Sequence, residues 1–280
     1  AQGTHAGRHF NYTGDYTDFS PDFRAPLGFV RRVDVRQTSH YAGYFWIPEG
    51  GKLLSFGPGF RILGNWDRTG RLQDRQAYGD FSMDFAGPSG YRLYHYDGYE
   101  FYDGKGFNTR NTGASFYISK LRWLSIYGSF DKGMGINYAP VWGIPPHSAG
   151  TMNGSLGFTV KPTPRAVLTQ YYYYSRLTAL PGSLPLDGPQ PGTIFNNHLL
   201  RSKVNYQFTK ALSLRAIVDY YGLLPNTFIV YDEKYKQVTG DLLLTYMINP
   251  GTALHVGYNN QLENLALDPT IPFSLKRTLN

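Results

Sequence analysis

Apolar and polar residues alternate through most of this chain, most clearly in the stretch 238–261. Every second residue from 238 to 248 is apolar or small, and the alternation resumes from 254 to 258 after Asn249-Pro250-Gly251. The positions between these residues carry mostly polar side chains, so one face of the segment is apolar and the other is polar. A period of two around a Pro-Gly turn predicts a β-hairpin.

Similar segments recur along the whole sequence. They cover residues 7–17, 29–47, 53–66, 73–86, 91–104, 111–119, 122–134, 151–162, 165–177, 196–209, 212–223, 236–248 and 252–264. Short connections take turns with long ones such as 135–150, 179–196, 223–234 and the tail 263–280. This sorting is typical of transmembrane barrels. The predicted fold is therefore an all-β, antiparallel up-and-down transmembrane β-barrel with about 13 strands here and at least about 14 in the intact protein.

The alternation assigns side chains to the two faces of the predicted barrel. The residues predicted to face lipid are Leu242, Leu244, Tyr246, Leu254, Val256 and Tyr258. The charged residues predicted to face the lumen are Arg61, Asp80, Asp84, Asp131, Lys161, Arg201, Lys203, Arg215, Asp219 and Asp241. A wide open sheet in water exposes two hydrogen-bonding edges and a large apolar surface, whereas closure with lipid outside removes both problems.

A soluble β-sandwich or propeller, in which a second protein layer covers the apolar face, is the alternative fold. No blade-length repeat with a recurring motif favours it. The segments 91–104 and 165–177 carry aromatic residues on both faces, so pattern alone does not assign their inside. Some of the tyrosines in 171–174 suit an interfacial aromatic girdle, and ordinary cross-strand packing explains them equally well.

Composition narrows the class of protein further. Aromatic residues make up 16% of the chain, with 24 Tyr and 32 Gly, which favours strands and tight turns. The absence of Cys excludes disulfides and thiolate metal sites. The mean hydropathy is −0.37, and no apolar run approaches the roughly 18–20 residues of a membrane-spanning helix. The net charge of +7 is scattered without a basic run, so nucleic acid is not an expected partner.

Two stretches resemble a known family. The segments "YTDFSPDFRAPLGFVRRVDVRQTSHYAGYFWIP" (16–48) and "LLTYMINPGTALHVGYN" (243–259) look like the C-terminal outer-membrane barrel of a bacterial family of unknown function. The similarity is sharpest at 28–34 and 249–252. Members of that family carry a carbohydrate-binding family-9-like domain at the N-terminus. The resemblance implies a location in the bacterial outer membrane and implies no reaction.

The extent of the chain carries a further expectation. Its first residues are polar and do not form a signal peptide, and neither the sugar-binding module nor the aromatic closing strand of the family is seen. Bacterial single-chain barrels have an even number of strands, whereas the pattern here predicts an odd one. We therefore expect residues 1–280 to form a single β-barrel domain that is part of a longer polypeptide.

Residue patterns that would carry chemistry are sparse. None of the seven His stands in HExxH or HxH spacing, so no metal site, cofactor or catalytic residue is predicted. His95 and Asp97 share a strand face and would need a neighbouring carboxylate to hold a cation. A lipid-facing hydrolase is approximated only by Ser39-His40 and by His198 with Ser202.

The charges point instead to a pore or a binding barrel. The basic Lys161, Arg201, Lys203 and Arg215 group on later strands, whereas Asp80, Asp84 and Asp131 group on earlier ones. Opposed walls would orient dipolar solutes, unless the charges pair as structural struts. The predicted function is a passive channel or binding barrel for polar solutes, with oligosaccharides among the candidates. The alternatives are a non-conducting anchor for an envelope partner and a soluble carbohydrate-binding β-domain.

Overall fold

The computed structural model describes residues 1–24, 33–184, 192–264 and 275–279. Most of the motif at 28–34, on which the family resemblance partly rests, lies outside these residues. The described ranges form fifteen strands and no helix. They contain no helix that is long and apolar enough to cross a membrane.

The strands occupy most of the described chain. Their bounds are β1 (Gln2–Ala6), β2 (Phe10–Phe19), β3 (Val35–Tyr44), β4 (Leu53–Trp66), β5 (Leu72–Phe85), β6 (Ser89–Tyr102), β7 (Lys105–Leu121), β8 (Leu124–Asn137), β9 (His147–Thr163), β10 (Ala166–Ala179), β11 (Thr193–Gln207), β12 (Leu212–Pro225), β13 (Tyr235–Asn249), β14 (Thr252–Asn264) and β15 (Leu275–Leu279). The predicted segments correspond to β2 through β14. The two additional strands, β1 and β15, have five residues each, too few for an alternating pattern to stand out.

All fifteen strands belong to one sheet, in which each strand pairs with its neighbours in sequence. Every pair with a described register runs antiparallel. This is an up-and-down meander. It confirms the predicted all-β, antiparallel up-and-down fold class.

The chain divides into two compact units, which we describe separately. The first comprises Ala1–Ser115, Asp131–Tyr138 and Pro146–Gly150, and the second comprises Phe116–Phe130, Ala139–Pro145 and Thr151–Asn280. Strands β7, β8 and β9 contribute residues to both units. The interpretation of residues 1–280 as a single domain stays a prediction.

The links between strands alternate in length, as predicted. Links that follow odd-numbered strands are mostly short: 86–88, 122–123, 164–165, 208–211 and 250–251. The described links that follow even-numbered strands are mostly long, as 138–146 and 226–234 show, and the intervals 20–34, 180–192 and 265–274 between described strands span ten residues or more. We call the corresponding strand ends the short-turn end and the long-loop end. Two links depart from the rule, the long 45–52 and the two-residue turn of Asp103 and Gly104, whose positive φ angles of 48° and 75° suit a type I′ hairpin.

In the second unit, strand register keeps the predicted faces together. Residues paired across antiparallel strands point to the same side of the sheet. Leu244 pairs with Val256 on one side and with Leu214 on the other, so the apolar positions of β12, β13 and β14 share one face. The six side chains predicted to face lipid are 37–58% exposed. We call this side the apolar face and the opposite side the polar face.

The first unit shows the same division. Phe81 pairs with Leu93 and Pro58 on its apolar face, where Phe60 also lies, whereas Asp80 pairs with Tyr94 and Gly59 on its polar face. Phe60 and Leu93 are 51% and 59% exposed. In both units, therefore, the large apolar side chains of the sheet lack a covering layer of described protein.

Side chains that are fully buried lie elsewhere. In the second unit the largest of them are Ile194 and Ile229, both 0% exposed. Ile229 belongs to the link 226–234, and Ile194 lies next to the long-loop end of β11. An isolated bridge pairs Pro140 with Val230 and joins two links of this end. The packed core of this unit is thus formed at its long-loop end rather than beneath the sheet.

Asp67 organises the link between β4 and β5. Its Oδ1 accepts hydrogen bonds from the backbone N–H groups of Thr69 and Arg71 at 3.0 and 2.9 Å, and from Thr69 Oγ1 at 2.6 Å. Its Oδ2 accepts one from Gln73 Nε2 at 2.9 Å. These bonds, with that from the Thr69 hydroxyl first, hold the pKa of Asp67 below its ordinary value of 3.8. The turn therefore favours the charged carboxylate.

Protonation of Asp67 is expected to loosen this turn. Because the folded-state pKa is depressed, the stabilisation is present above a pH of about 3.9 and is lost as the pH falls through the folded value. Amide exchange of Thr69 and Arg71, corrected for intrinsic rates, should accelerate over that interval. Asp67→Ala should remove the protection at neutral pH, and unchanged protection in that variant would contradict the assignment.

Candidate functional site

The charged residues predicted to face a lumen all lie on the polar face of their own unit. Strand register or alternation puts Arg61, Asp80, Asp84 and Asp131 there in the first unit, and Lys161, Arg201, Lys203, Arg215, Asp219 and Asp241 in the second. Contact of this face with a lumen stays a prediction. Whether the acidic group and the basic group oppose each other stays a prediction as well.

An arginine–aspartate pair organises the polar face of the second unit. Arg201 and Asp219 are opposite each other on β11 and β12. The guanidinium donates from Nε and Nη2 to the two carboxylate oxygens at 2.7 Å each, the bidentate geometry that fixes a planar guanidinium most firmly. On the next strand, Asp241 accepts a hydrogen bond from Asn259. The two acids are thus held by different partners.

The remaining cations of this face have no acidic partner. The structural struts considered from the sequence joined Arg215 to Asp219 and Lys203 to Asp241. Instead, Arg215 is opposite Asn205 and Leu243, and Lys203 is opposite Ile217. Among the described residues, neither side chain has an ion pair, and Lys161 has none either. The pairing of Arg201 with Asp219 leaves these three cations uncompensated.

Aromatic rings continue the row that contains Arg201. Tyr171 of β10 lies opposite Arg201 of β11, and its ring stacks with that of Tyr127 at a centroid distance of 6.3 Å. The sequence pattern did not assign Tyr171 to the polar face, because β10 carries tyrosines on both faces.

A cavity of about 310 Å³ opens closer to the short-turn end of these strands. It is lined by Arg215, Asn205, Ser213, Leu243 and Thr245 among others. Stacked rings, a fixed guanidinium and free cations can together bind a hydroxylated or anionic solute.

The first unit carries a mixed rather than an acidic polar face. Asp80 lies 3.6 Å from Arg92, a residue that the sequence analysis did not select. Arg61 sits over the ring of Tyr41 at 5.7 Å. The grouping of acids on the early strands is therefore partly offset by neighbouring arginines. Register with β5 was the missing signal, because it places Arg92 opposite Ser82 on the polar face.

Two further acids of the first unit accept hydrogen bonds from hydroxyl groups. Asp84 Oδ2 accepts one from Ser55 at 3.2 Å, and Asp131 Oδ1 accepts one from Tyr94 at 3.5 Å. Tyr94 also stacks with Tyr78 at 6.0 Å, so aromatic rings line this face as well.

The histidines considered for chemistry do not have the neighbours that a cation site or a hydrolase would need. His95 contacts Asp97 at 2.9 Å, but its other ring nitrogen faces Thr112 Oγ1 at 2.7 Å rather than a carboxylate. No group of three metal-binding side chains occurs in the described ranges. The two candidate hydrolase pairs are also not formed. His40 contacts Tyr12 and Thr38, whereas Ser39 points to the opposite face. His198 contacts Tyr172 rather than Ser202.

Comparisons with known proteins add little to this geometry. No protein-family model and no curated protein matches the chain. Two solved structures of OmpT from Vibrio cholerae match at 9% identity and a TM-score of 0.36. The outer-membrane expressed form covers 93% of this chain and 90% of its own, and the in-vitro folded trimer form covers 100% and 95%. Similarity this low carries no argument about fold or function.

The Arg201–Asp219 pair is expected to orient side chains more than it stabilises the fold. Arg201 is more than half exposed, and exposed pairs contribute roughly 0–1 kcal/mol. A double-mutant cycle of Arg201→Gln and Asp219→Asn, read from unfolding in urea, should give a coupling free energy of about 1 kcal/mol or less. Lys203→Gln combined with Asp219→Asn serves as the control and should give no coupling. A coupling above about 3 kcal/mol would show that the pair is buried in the folded protein.

Proposed function

We propose that this chain is the barrel of a bacterial outer-membrane protein that conducts or binds polar solutes. The observation that carries the proposal is the uncovered apolar face of the sheet, combined with an opposite face rich in charge. Monomeric soluble proteins rarely expose contiguous apolar patches above a few hundred Å². Lipid on the apolar face and water on the polar face satisfy both surfaces at once.

Strand length supports a membrane location. A transmembrane β-strand needs about 9–11 residues, and β4 through β14 have 13 to 17. Counted from the short-turn end, each of these strands crosses the hydrocarbon and extends beyond it on the long-loop side. In outer-membrane barrels the longer loops face the exterior. The membrane lipid is therefore the first partner that we propose for this chain.

The polar face suggests the class of solute. Lys161, Lys203 and Arg215 have no acidic partner among the described residues, and such cations favour solutes that carry negative charge or many oxygen acceptors. The stacked rings of Tyr127 and Tyr171 beside Arg201 suit the flat faces and hydroxyl groups of sugars. Polar and carbohydrate-derived solutes are accordingly the proposed cargo. No reaction, cofactor or nucleic-acid contact is part of the proposal.

A second candidate function is a surface scaffold for an envelope partner. Three aromatic side chains at the long-loop end are unusually exposed: Trp142 at 94%, Phe228 at 77% and Tyr231 at 76%. Trp142 occupies a turn closed by a hydrogen bond from Ile144 N to Val141 O at 3.1 Å, and Val141 N in turn bonds Ile229 O at 3.1 Å. Rigid exposed aromatics of this kind are common anchors in protein interfaces.

Membership of the family with the carbohydrate-binding family-9-like domain is a separate proposal. It rests on the two resembling segments 16–48 and 243–259. The reading frame of the complete gene tests it. A sugar-binding module upstream of this barrel supports the proposal, and an unrelated domain there removes it.

Conductance in planar lipid bilayers tests the channel. We expect steady, salt-dependent current from the folded protein, because water and ions fill a polar lumen. Lys203→Gln with Arg215→Gln removes two free cations and should shift the permeability ratio towards cations by roughly twofold. Arg122→Gln with Lys210→Gln, in short links of the same unit and outside the cavity, changes the net charge equally and should leave the ratio unaltered. A sealed bilayer containing folded protein would support the scaffold instead.

Adjacent leucines provide a local test of lipid contact. Leu244 lies on the apolar face and Leu243 on the polar face of the same strand. An arginine facing the hydrocarbon near the midplane costs about 2–4 kcal/mol. Leu244→Arg should therefore impair assembly into lipid vesicles, measured by protease protection and heat-modified gel mobility, whereas Leu243→Arg should assemble. Equal tolerance of both variants would argue for a soluble fold.

A further inference from the structure

A polar patch interrupts the apolar face of the first unit. Arg75, Asp97 and His95 lie on this face of β5 and β6, because they share register with Tyr99, Ala77 and Gly79 on the side where Phe81 pairs with Leu93. Thr112 of β7 joins them through its hydrogen bond to His95. Arg110, two residues before Thr112, points to the same side by strand alternation. Charges on a face proposed to contact lipid require an explanation.

Three histidines of the apolar face are hydrogen-bonded to neighbouring side chains. His40 is hydrogen-bonded to Tyr12 at 2.8 Å, His198 to Tyr172 at 2.8 Å, and His95 to both Thr112 and Asp97. Such mutual bonding is what a low-dielectric surrounding demands. The two arginines of the patch are different. In the described part of the chain neither Arg75 nor Arg110 has an ion pair.

The two guanidinium groups line a common cavity. Its volume is about 550 Å³, and its wall includes Arg75, Arg110, Asn108, Asp97 and Met134. The carboxylate of Asp97 is engaged by His95 Nε2 at 2.9 Å. Two arginines and one aspartate leave the wall of the cavity with a net positive charge. Its chemistry is therefore that of an anion site with an amide donor alongside.

The cavity lies at a definite level of the proposed membrane crossing. Counted from the short-turn end, Arg75 is ten residues from Phe85, the last residue of β5, and Arg110 is eleven from Leu121, the last residue of β7. A crossing takes about 9–11 residues. Both arginines thus reach the boundary between hydrocarbon and headgroups on the long-loop side, where long cationic side chains extend towards phosphate.

We infer that Arg75 and Arg110 bind the phosphate of an anionic lipid headgroup in the leaflet on the long-loop side. The inference rests on the proposed membrane function. Arginine matches phosphate through paired N–H donors, and Asn108 adds a further donor. A second copy of this chain is a poorer occupant, because a two-fold interface would place this net positive patch against itself.

Lipid binding to detergent-solubilised protein tests the inference. The probes are diphosphorylated lipid A, phosphatidylglycerol and phosphatidylcholine, which is zwitterionic and has no net charge. Bound lipid is counted by native mass spectrometry. We expect the phosphorylated glycolipid and phosphatidylglycerol to bind well above phosphatidylcholine. Arg75→Gln with Arg110→Gln should weaken that binding at least about tenfold, since two charge-assisted contacts are lost.

Lys52→Gln with Arg122→Gln is the matched control, because it removes two exposed cations near the short-turn end. It should keep affinity within about twofold of the parent. Equal loss in the control and the test variant would indicate bulk electrostatics and overturn the site. Unchanged binding in the test variant would also overturn it. Displacement of the lipid by millimolar inorganic phosphate would identify a free-phosphate site instead.

Insertion into lipid bilayers is measured separately from lipid binding. The membrane function and the lipid site can then be disproved independently of each other. A test variant that inserts and conducts like the parent but no longer retains anionic lipid supports the lipid site. A parent protein that remains soluble without detergent removes the membrane function together with the lipid site. A parent that inserts but shows no preference for anionic lipid removes the lipid site alone.

Discussion

The structure depends on one constraint: the sheet is a single layer whose backbone hydrogen bonds run only sideways, from strand to strand. Each strand from β2 to β14 pairs with its two sequence neighbours, so the pairing satisfies the backbone groups of these strands but covers neither face. A soluble sheet solves this by packing a second layer onto its apolar side. Here Leu93 and Val256 stay more than half exposed, while the fully buried Ile194 and Ile229 lie at the long-loop end. The cover of the apolar face must come from outside the described chain.

The same constraint explains how polar groups are distributed on that face. His40 and His198 there are hydrogen-bonded to tyrosine side chains, as surroundings of low dielectric would favour. In the proposed membrane orientation, β4 through β14 are longer than a bilayer crossing, and the surplus lies at the long-loop end. Arg75 and Arg110, which have no ion pair among the described residues, lie where the proposed crossing ends. Whether a polar side chain of the apolar face is bonded to other side chains therefore depends on its position along the strand as well as on its face.

The sequence predicted this fold well where alternation is strict and poorly where it is not. In β13 and β14 a period of two identified both strands, their turn and the shared face of Leu244 and Val256. In β6 aromatics occupy both faces, and only the pairing of Asp80 with Tyr94 assigns them. The paired links near Ile229 bring together residues that are far apart in sequence. The cavity beside Arg110 brings together residues of different strands. Periodicity within one strand carries no information about such contacts.

The contacts of the polar face also bear on whether the site selects solutes by charge or by shape. Lys203 and Arg215 are free of acids and contribute charge, but flexible side chains lose entropy when a solute orders them. Arg201 has already lost that freedom, because Asp219 holds its Nε and Nη2 at 2.7 Å. Its remaining N–H groups are thereby pre-oriented on the strand that faces Tyr171. A simple anion, which needs only a positive potential, would gain little affinity from this arrangement. A solute with a flat face and fixed hydrogen-bond acceptors would stack on the ring of Tyr171 and accept hydrogen bonds from Arg201. In the proposed binding barrel, shape recognition at Arg201 and charge attraction by its neighbours would therefore be separable, and the row of Tyr127, Tyr171 and Arg201 would favour a sugar-like solute over a simple ion.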